Sequence, residues 1–367
     1  MAYNGHLNAN AILASLFNMI ISQETFADNI YHGASNLVDE ARVDGTLLGD
    51  TRTYVSVDCL PTHPWGNDLE ASNLLALERP KNPNVQAITL NVFRQIRLTI
   101  DAYLSKQAWA NITSFMQFTS VIVGMMEETR KVYENTTYNT FIGNTIATGA
   151  GQSISLSLTL PAGVKLGSEE ANRLRAQFLA KSMADLFDEL QNYSRNYNDL
   201  GYLRSYSPER IKVYWRNDIA NTLTLVDLPT IFHDEKVAKA FRGEKLNHRY
   251  FGGGISTASL AAGTGKRLAQ EYTIGSGANA QYLFPGDLIP SGISANSGLQ
   301  YTESSSVVAI VLVKLPPFMS SFRVMTSFFN PRSLTDTKFL TLGHNTLVKF
   351  DNYPFIRVSL SVAEASE

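Results

Sequence analysis

The histidines of this chain do not have the spacing that a metal centre needs. Zinc binds three or four converging ligands, and paired histidines on one helix face stand four residues apart. No two of the six have that separation, and none lies in an H-E-x-x-H sequence; they are His6, His32, His63, His233, His248 and His344. His233 precedes Asp234 and Glu235, a grouping more typical of a hydrogen-bonded surface cluster. We therefore expect no metal site.

Nucleophilic and phosphate-binding chemistry has equally little support. Cys59 is the single cysteine and lies in a strand-like sequence, where we expect a small buried side chain and not an activated thiol. No G-x-S-x-G sequence is present. Residues 262–267 (AGTGKR) are reminiscent of a phosphate-binding loop, but Leu260 and Arg267 occupy the positions that require Gly and Ser or Thr. We expect no catalytic residue, no cofactor and no enzyme, and we interpret Lys266 and Arg267 as a basic loop tip.

The composition points away from nucleic-acid recognition and towards protein contacts. The 367 residues include 31 Lys and Arg and 33 Asp and Glu, a net charge of −2, so no basic excess is available for a nucleic-acid-binding surface. Charged residues are 17% of the chain, against about 25% in an average soluble domain. Since charge is depleted at interface centres, we expect much of the exterior to contact protein. The first residues lack a basic n-region and the longest apolar run is Val307–Val313, so we expect a soluble protein without a signal peptide or membrane span.

Two strand-like segments separated by a proline-containing loop indicate a long hairpin. Thr51–Leu60 is rich in β-forming residues, and Val85–Asp101 alternates over its whole length, which would extend about 55 Å. An isolated hairpin is marginal in water, so we expect this one to project and rest on another chain. The alternative is an internal sheet of a large β domain. The more apolar face of the second strand consists of Ile88, Leu90, Val92, Arg94, Ile96, Leu98 and Ile100.

Two arginines on the second strand are candidates for contacts between chains. Arg94 and Arg97 are three residues apart and therefore lie on opposite faces of the strand. One of them could reach into the apolar face and pair with an acid on a partner chain. The alternative is a charge that protects an edge strand from unwanted pairing.

The first half of the chain also contains two helix-forming segments. An apolar stretch around Phe17 predicts a short helix on an N-terminal arm, packed either on its own domain or on a neighbouring subunit. Residues 105–147 predict a long helix, about 38 Å if it is unbroken from Asn111 to Asn135. The alternative is a pair of core helices interrupted at Gly124.

The remaining sequence alternates strands, one further helix and loops. Ser153–Leu160 predicts a strand, and Ser168 followed by two glutamates predicts the N-cap of a second long helix. The apolar seam of this helix is Leu179, Met183, Leu186, Leu190, Tyr193 and Tyr197. Residues 205–300 predict large ordered loops, with a short strand at Ile211–Trp215 and a short helix at Val237–Phe241. The last strands are predicted at Val307–Val313, Ser320–Phe329, Lys338–Thr341, Leu347–Phe350 and Phe355–Val362.

This order of elements resembles that of the major capsid proteins of tailed bacteriophages, in particular of podovirus-like phages. These proteins share the α+β Hong Kong ninety-seven fold. The resemblance is carried by Gly49–Asp68 with Val85–Ile100, by Ala108–Val132 and by Ser168–Tyr197. It implies an N-terminal arm (1–35), an extended loop hairpin or E-loop (36–104), a peripheral domain with a spine helix and a sheet (105–204), a loop-rich axial domain (205–305) and return strands of the peripheral domain (306–367).

The resemblance implies a virion protein that self-assembles in the host bacterial cytoplasm. Hexamers and pentamers would close into an icosahedral shell around double-stranded DNA. The DNA would be bound without sequence specificity, and no membrane would take part. Separate scaffolding, portal and minor or decoration proteins are the further partners that it implies. The alternatives are an encapsulin-type nanocompartment and a soluble enzyme that uses residues 243–300 as active-site loops. The candidate contacts between subunits are Phe17, Trp65, Ile88, Leu90, Val92, Arg94, Ile96, Arg97, Leu98, Lys266 and Arg267.

Overall fold

Helices and several sheets together form an α+β fold. The computed structural model describes residues 30, 36–46, 49–62, 79, 82–101, 112–225, 244–275, 280–293, 297–321 and 324–365. The helices in these ranges are α1 (Leu37–Ala41), α2 (Ile112–Asn144), α3 (Glu169–Gln191) and α4 (Asn217–Leu225), with 3-10 turns at Pro208–Arg210 and His248–Tyr250. Three predictions lie outside the described residues, namely the arm helix around Phe17, the loop position of Trp65 and the helix at Val237–Phe241.

A six-stranded sheet joins the predicted hairpin to strands from the end of the chain. Its strands are β1 (Arg42–Thr46), β2 (Thr51–Ser56), β3 (Asn84–Asp101), β13 (Phe318–Ser321), β14 (Val324–Asn330) and β15 (Thr335–Asn345). The order is β1-β13-β15-β3-β2, and β14 pairs with β15 as a second hairpin. β1 is parallel to β13, and the other pairs are antiparallel. The single strand predicted at Ser320–Phe329 is therefore two strands, β13 and β14.

A five-stranded sheet forms the centre of the second layer. Its strands, in the order β4-β16-β12-β5-β6, are β4 (Ser153–Leu160), β16 (Phe355–Glu364), β12 (Val307–Leu312), β5 (Lys212–Arg216) and β6 (Glu244–Leu246). Every residue of β12 is buried. Val308 and Val311 pack in the cluster that includes α3, whereas Val307 and Ile310 pack in the cluster that includes α2. The unbroken apolar sequence of β12 thus reflects cover on both faces.

The helix α3 covers one face of this sheet, as its sequence predicts. The Ser168 side chain caps the helix by accepting a hydrogen bond of 3.2 Å from the Ala171 N–H. The buried seam consists of Leu179, Met183, Leu186 and Leu190. The prediction fails at Tyr193, which lies beyond the end of α3 and is 82% exposed. Tyr197 returns to the core, with a left-handed backbone at φ 69°.

The helix α2 is continuous through Gly124 and connects the two layers. Its 33 residues span about 50 Å. The buried Glu134 carboxylate accepts hydrogen bonds from Arg42 of β1 at 2.8 Å and from Arg130 of α2 at 2.9 Å. Tyr138, also buried, donates to the Pro316 carbonyl at 2.7 Å. These contacts connect the C-terminal half of α2 to β1 and to the segment that precedes β13.

The last turn of α2 lies directly against residues 250–252. A Cβ placed on Gly143 would stand 2.1 Å from the Tyr250 carbonyl oxygen, and one on Gly252 would stand 2.1 Å from Asn144 Oδ1. The Asn144 side-chain amide donates to the same Tyr250 carbonyl at 2.9 Å. The two glycines therefore permit a close backbone approach that no other residue would allow.

The predicted loop-rich region contains two small sheets. One consists of β7 (Ser256–Ser259), β11 (Ser297–Thr302) and β8 (Lys266–Leu268), and the other of β9 (Tyr272–Ile274) and β10 (Gln281–Leu283). Their shared core is formed by Leu260, Leu268, Leu283 and Ile289. Long connections are thus ordered by a small apolar cluster of their own.

The domain boundaries predicted after residues 204 and 305 do not match this architecture. Segments on both sides of each boundary share one sheet and one core, since β4, β5, β12 and β16 are strands of the same sheet. The strand predicted at Leu347–Phe350 is also wrong, because these residues form a loop. The Lys349 carbonyl accepts a hydrogen bond from the side-chain amide of Gln86 instead of from a backbone N–H of a neighbouring strand, and Phe350 packs into the core.

Candidate assembly surface

The strand β3 is paired along its whole length within its own chain. β2 pairs with its beginning, from Ser56 opposite Asn84 to Thr51 opposite Thr89. β15 pairs with the remainder, as far as Asp101. The expectation of a free two-stranded hairpin is therefore wrong for most of β3. Only the part next to β2 has the form of a two-stranded ribbon.

The apolar face of β3 turns towards the protein's own core. Ile88 and Leu90 are buried with Met319 and Phe350. Ile100 is also buried, and the apolar residues between are half-buried; they are Val92, Ile96 and Leu98, whereas Arg94 on the same face is exposed. Because Ile88 and Leu90 are already covered by this chain, we no longer assign them to a contact between subunits.

The basic candidates also find acidic partners within the chain. Arg94 forms an ion pair of 3.0 Å with Glu271, and its guanidinium lies 5.9 Å from the centre of the Tyr133 ring. Arg267 donates two hydrogen bonds to Glu303, at 3.0 and 2.9 Å. Lys266 is half-buried on β8 and is therefore not at a loop tip. For Arg94, the acid that was expected on a partner chain is Glu271 of the same chain.

The opposite face of the six-stranded sheet is polar, rich in threonine and largely open to solvent. Residues of β3 on this face alternate with the buried ones and are all exposed; they are Val85, Ala87, Thr89, Asn91, Phe93, Gln95, Arg97 and Thr99. Thr51 and Thr89 share a hydrogen bond of 2.8 Å across the strands, as do Thr99 and Thr337 at 3.1 Å. Arg97 is the single charged residue in this β3 set.

Four exposed apolar side chains lie at the end of the hairpin where β2 ends and β3 begins. Val55 and Val85 oppose each other across β2 and β3, with exposed fractions of 64% and 53%. Val57 and Leu60 follow β2 and are 57% and 68% exposed. We call these four residues the distal strip. It was not among the predicted contacts because Val85 lies on the opposite face of β3 and the other three residues lie on or after β2; the signal in the sequence is the set of apolar residues in both strand segments.

Two further titratable side chains lie near the hairpin, one exposed and one buried. Cys59 lies beyond the end of β2 and is exposed, which corrects the prediction of a buried side chain. His344 is buried between α2 and β13, accepts a hydrogen bond of 2.8 Å from Tyr133 and donates one of 2.8 Å to the Asn345 carbonyl. Burial lowers the pKa of His344, which favours the neutral ring that this pair of bonds requires.

The described part of the chain contains neither a metal-binding cluster nor a membrane-spanning helix. No group of three or more His, Cys, Asp or Glu side chains within it is arranged to hold a metal ion. None of the helices seen there is long and apolar enough to cross a membrane.

A protein-family model matches nearly the whole chain. The model for the Phi29-like phage major capsid protein matches residues 4–347. The chain belongs to this family. It is accordingly a structural, shell-forming protein of a phage capsid and not an enzyme, and the nanocompartment and enzyme alternatives are not favoured.

Solved structures support the fold assignment. One chain in the capsid structure of Staphylococcus phage Andhra has a TM-score of 0.61 at 10% identity, covering 93% of this chain and 88% of that one. A chain in the structure of the head fibre and inner core protein of native bacteriophage P68 has a TM-score of 0.61 at 11% identity, with coverage of 92% and 88%. No curated protein matches this chain. The likeness to phage capsid chains confirms the predicted Hong Kong ninety-seven type of α+β fold.

Proposed function

We propose that this capsid protein forms hexamers and pentamers that close into an icosahedral shell around the double-stranded DNA of the phage. Membership of the major capsid protein family supports the proposal most strongly. Assembly takes place in the host bacterial cytoplasm, with separate scaffolding, portal and minor or decoration proteins as further partners. The net charge of −2 is compatible with a shell that encloses DNA without binding it tightly or specifically.

In this proposal, the structural layers correspond to the domains of a capsid subunit. The peripheral domain consists of α2, as spine helix, and the six-stranded sheet. The axial domain consists of the five-stranded sheet, α3, α4 and the two small sheets. The segment that connects β2 to β3 forms the extended loop. This division replaces the predicted boundaries because it follows shared sheets and cores.

The extended loop reaches a neighbouring subunit through the distal strip. Full burial of a valine or leucine side chain contributes about 1.5 to 3 kcal/mol of favourable free energy. Burial of part of this strip therefore offsets part of the free-energy cost of association. Closure of a shell repeats the contact many times. Of the residues predicted for this role we retain Phe17, Trp65, Val92, Ile96, Arg97 and Leu98.

Photochemical crosslinking at Val85 tests this contact. We expect a benzophenone amino acid at position 85 to crosslink to a second copy in assembled particles, because the side chain points away from its own core. Particles assembled from mixed light and isotopically heavy subunits distinguish crosslinks between copies from those within one copy. Exclusively light–light and heavy–heavy crosslinked peptides would contradict the proposed contact.

A further inference from the structure

An exposed lysine whose ammonium lies beside three aromatic rings connects β2 to the second layer. The Lys314 ammonium lies 5.6, 5.1 and 5.5 Å from the ring centres of Tyr54, Phe350 and Tyr353. Tyr54 belongs to β2, and the other two rings belong to the loop between β15 and β16. The faces of aromatic rings attract a cation, so Lys314 holds together rings from two distant parts of the chain.

The space around this lysine is not completely filled. A cavity of about 200 Å³ lies between the hairpin and residues 350–353, and Lys314 forms part of its wall. β3 is fixed by its own pairing and core packing, whereas the side chains of β2 that line this cavity are not held there by close packing. Specific contacts around the cavity therefore contribute to setting the angle of the hairpin end.

Asp58 supplies a second point of attachment, on the limb that follows β2. Its carboxylate accepts hydrogen bonds from Arg195 at 2.8 Å and from the Leu203 N–H at 3.0 Å. The Arg204 guanidinium donates to the adjacent Val57 carbonyl at 2.6 Å. The bond from Arg195 is the main reason why the pKa of Asp58 is lowered well below its usual value.

Gln86 of β3 completes the attachment. Its side-chain amide donates to the Lys349 carbonyl at 2.8 Å, and its side-chain oxygen accepts from the Asp351 N–H at 3.2 Å. The root of the extended loop is thus bound on both strands to loops that flank the five-stranded sheet.

We infer that Lys314 and Asp58 are positioning residues that hold the extended loop at one angle before the subunit meets a neighbour. This inference rests on the proposed function of the loop in assembly. A loop whose root is held in place loses less conformational freedom on binding, so assembly begins at a lower protein concentration. Without both residues, we expect half-maximal shell yield to require about tenfold more protein.

Spin-label distance measurements on the soluble full-length subunit test the inference. One nitroxide is attached to the native Cys59, and the other to a cysteine introduced by Gln177→Cys, an exposed position on α3. We expect one narrow distance distribution in the parent chain. The combined substitutions Lys314→Met and Asp58→Asn are expected to widen it at least twofold.

Two further variants separate positioning from general stability. Lys314→Arg keeps a cation above the rings and is expected to keep the distribution narrow. Lys165→Met, at an exposed lysine before α3, is the matched control and is expected to have no effect. An unchanged width in the combined variant would overturn the inference. If that variant does not fold, the two single substitutions decide by the same criterion.

The same experiment distinguishes the inference from the proposed function. The distances are measured in free subunits and do not depend on shell formation. If the combined variant shows a widened distribution and the parent chain never forms shells, only the proposed function is contradicted. Normal shells with an unchanged distribution would contradict only the positioning role.

Discussion

The combined substitutions Val55→Lys and Val85→Glu are expected to abolish closed shells and to leave the subunit folded. The two positions face each other across β2 and β3, so opposite charges preserve the cross-strand pair. Both side chains are mostly exposed, and their replacement should change the unfolding free energy of the subunit by only about 0.5 kcal/mol. An interface that forms over the distal strip would have to bury two charges, which is costly unless they are paired and hydrogen-bonded.

A matched variant on the same strands locates the effect. Thr51→Lys with Thr89→Glu introduces the same charges at an exposed cross-strand pair that is already polar. Electron microscopy should show shells for this variant and none for the Val55 and Val85 variant. Abundant normal shells from the valine variant would remove the distal strip from the proposed interface.

Gly143→Ala is expected to destabilise the subunit by about 3 kcal/mol. The added Cβ would stand 2.1 Å from the Tyr250 carbonyl oxygen and 2.6 Å from its carbon. Both are backbone atoms, so no rotation of a side chain relieves the collision. The substitution must push α2 away from residues 250–252 and weaken the hydrogen bond from Asn144 to the same carbonyl.

Gly124→Ala is the control in the same helix. Gly124 is exposed, and a Cβ there meets no other atom within 4 Å. Alanine should therefore stabilise the helix by about 0.5 to 1 kcal/mol. Urea denaturation of both variants measures the difference. Equal stability of the two variants would contradict the close packing at the end of α2.

Sequence patterns correctly predicted the strands, helices and caps that are determined by residues close together in the chain. Ser153–Leu160 alternates strictly and forms β4, while the unbroken apolar run after Ser306 forms the central strand β12. The Ser168 cap is read from four adjacent residues and is present in the structure. Periodicity also placed the long helix, which is continuous through Gly124.

The errors arose where distant segments decide the outcome. Alternation shows that one face of β3 is apolar, but it does not show which chain covers that face. The cover comes from Met319 and Phe350, which follow β3 by more than 200 residues. In the same way, Arg94 was correctly placed among apolar neighbours, but no local pattern connects it to Glu271. Because contacts within the chain already cover Ile88 and Leu90 and pair Arg94, the candidate surface for a neighbouring subunit is the exposed distal strip.

Negative-stain electron microscopy of the purified full-length chain, over a series of increasing protein concentrations, tests the central claim most directly. The account predicts closed particles of uniform diameter above a threshold concentration, in equilibrium with free subunits below it. A chain that stays monomeric at every concentration, with no particles on the grid, would contradict its role as a self-assembling shell subunit.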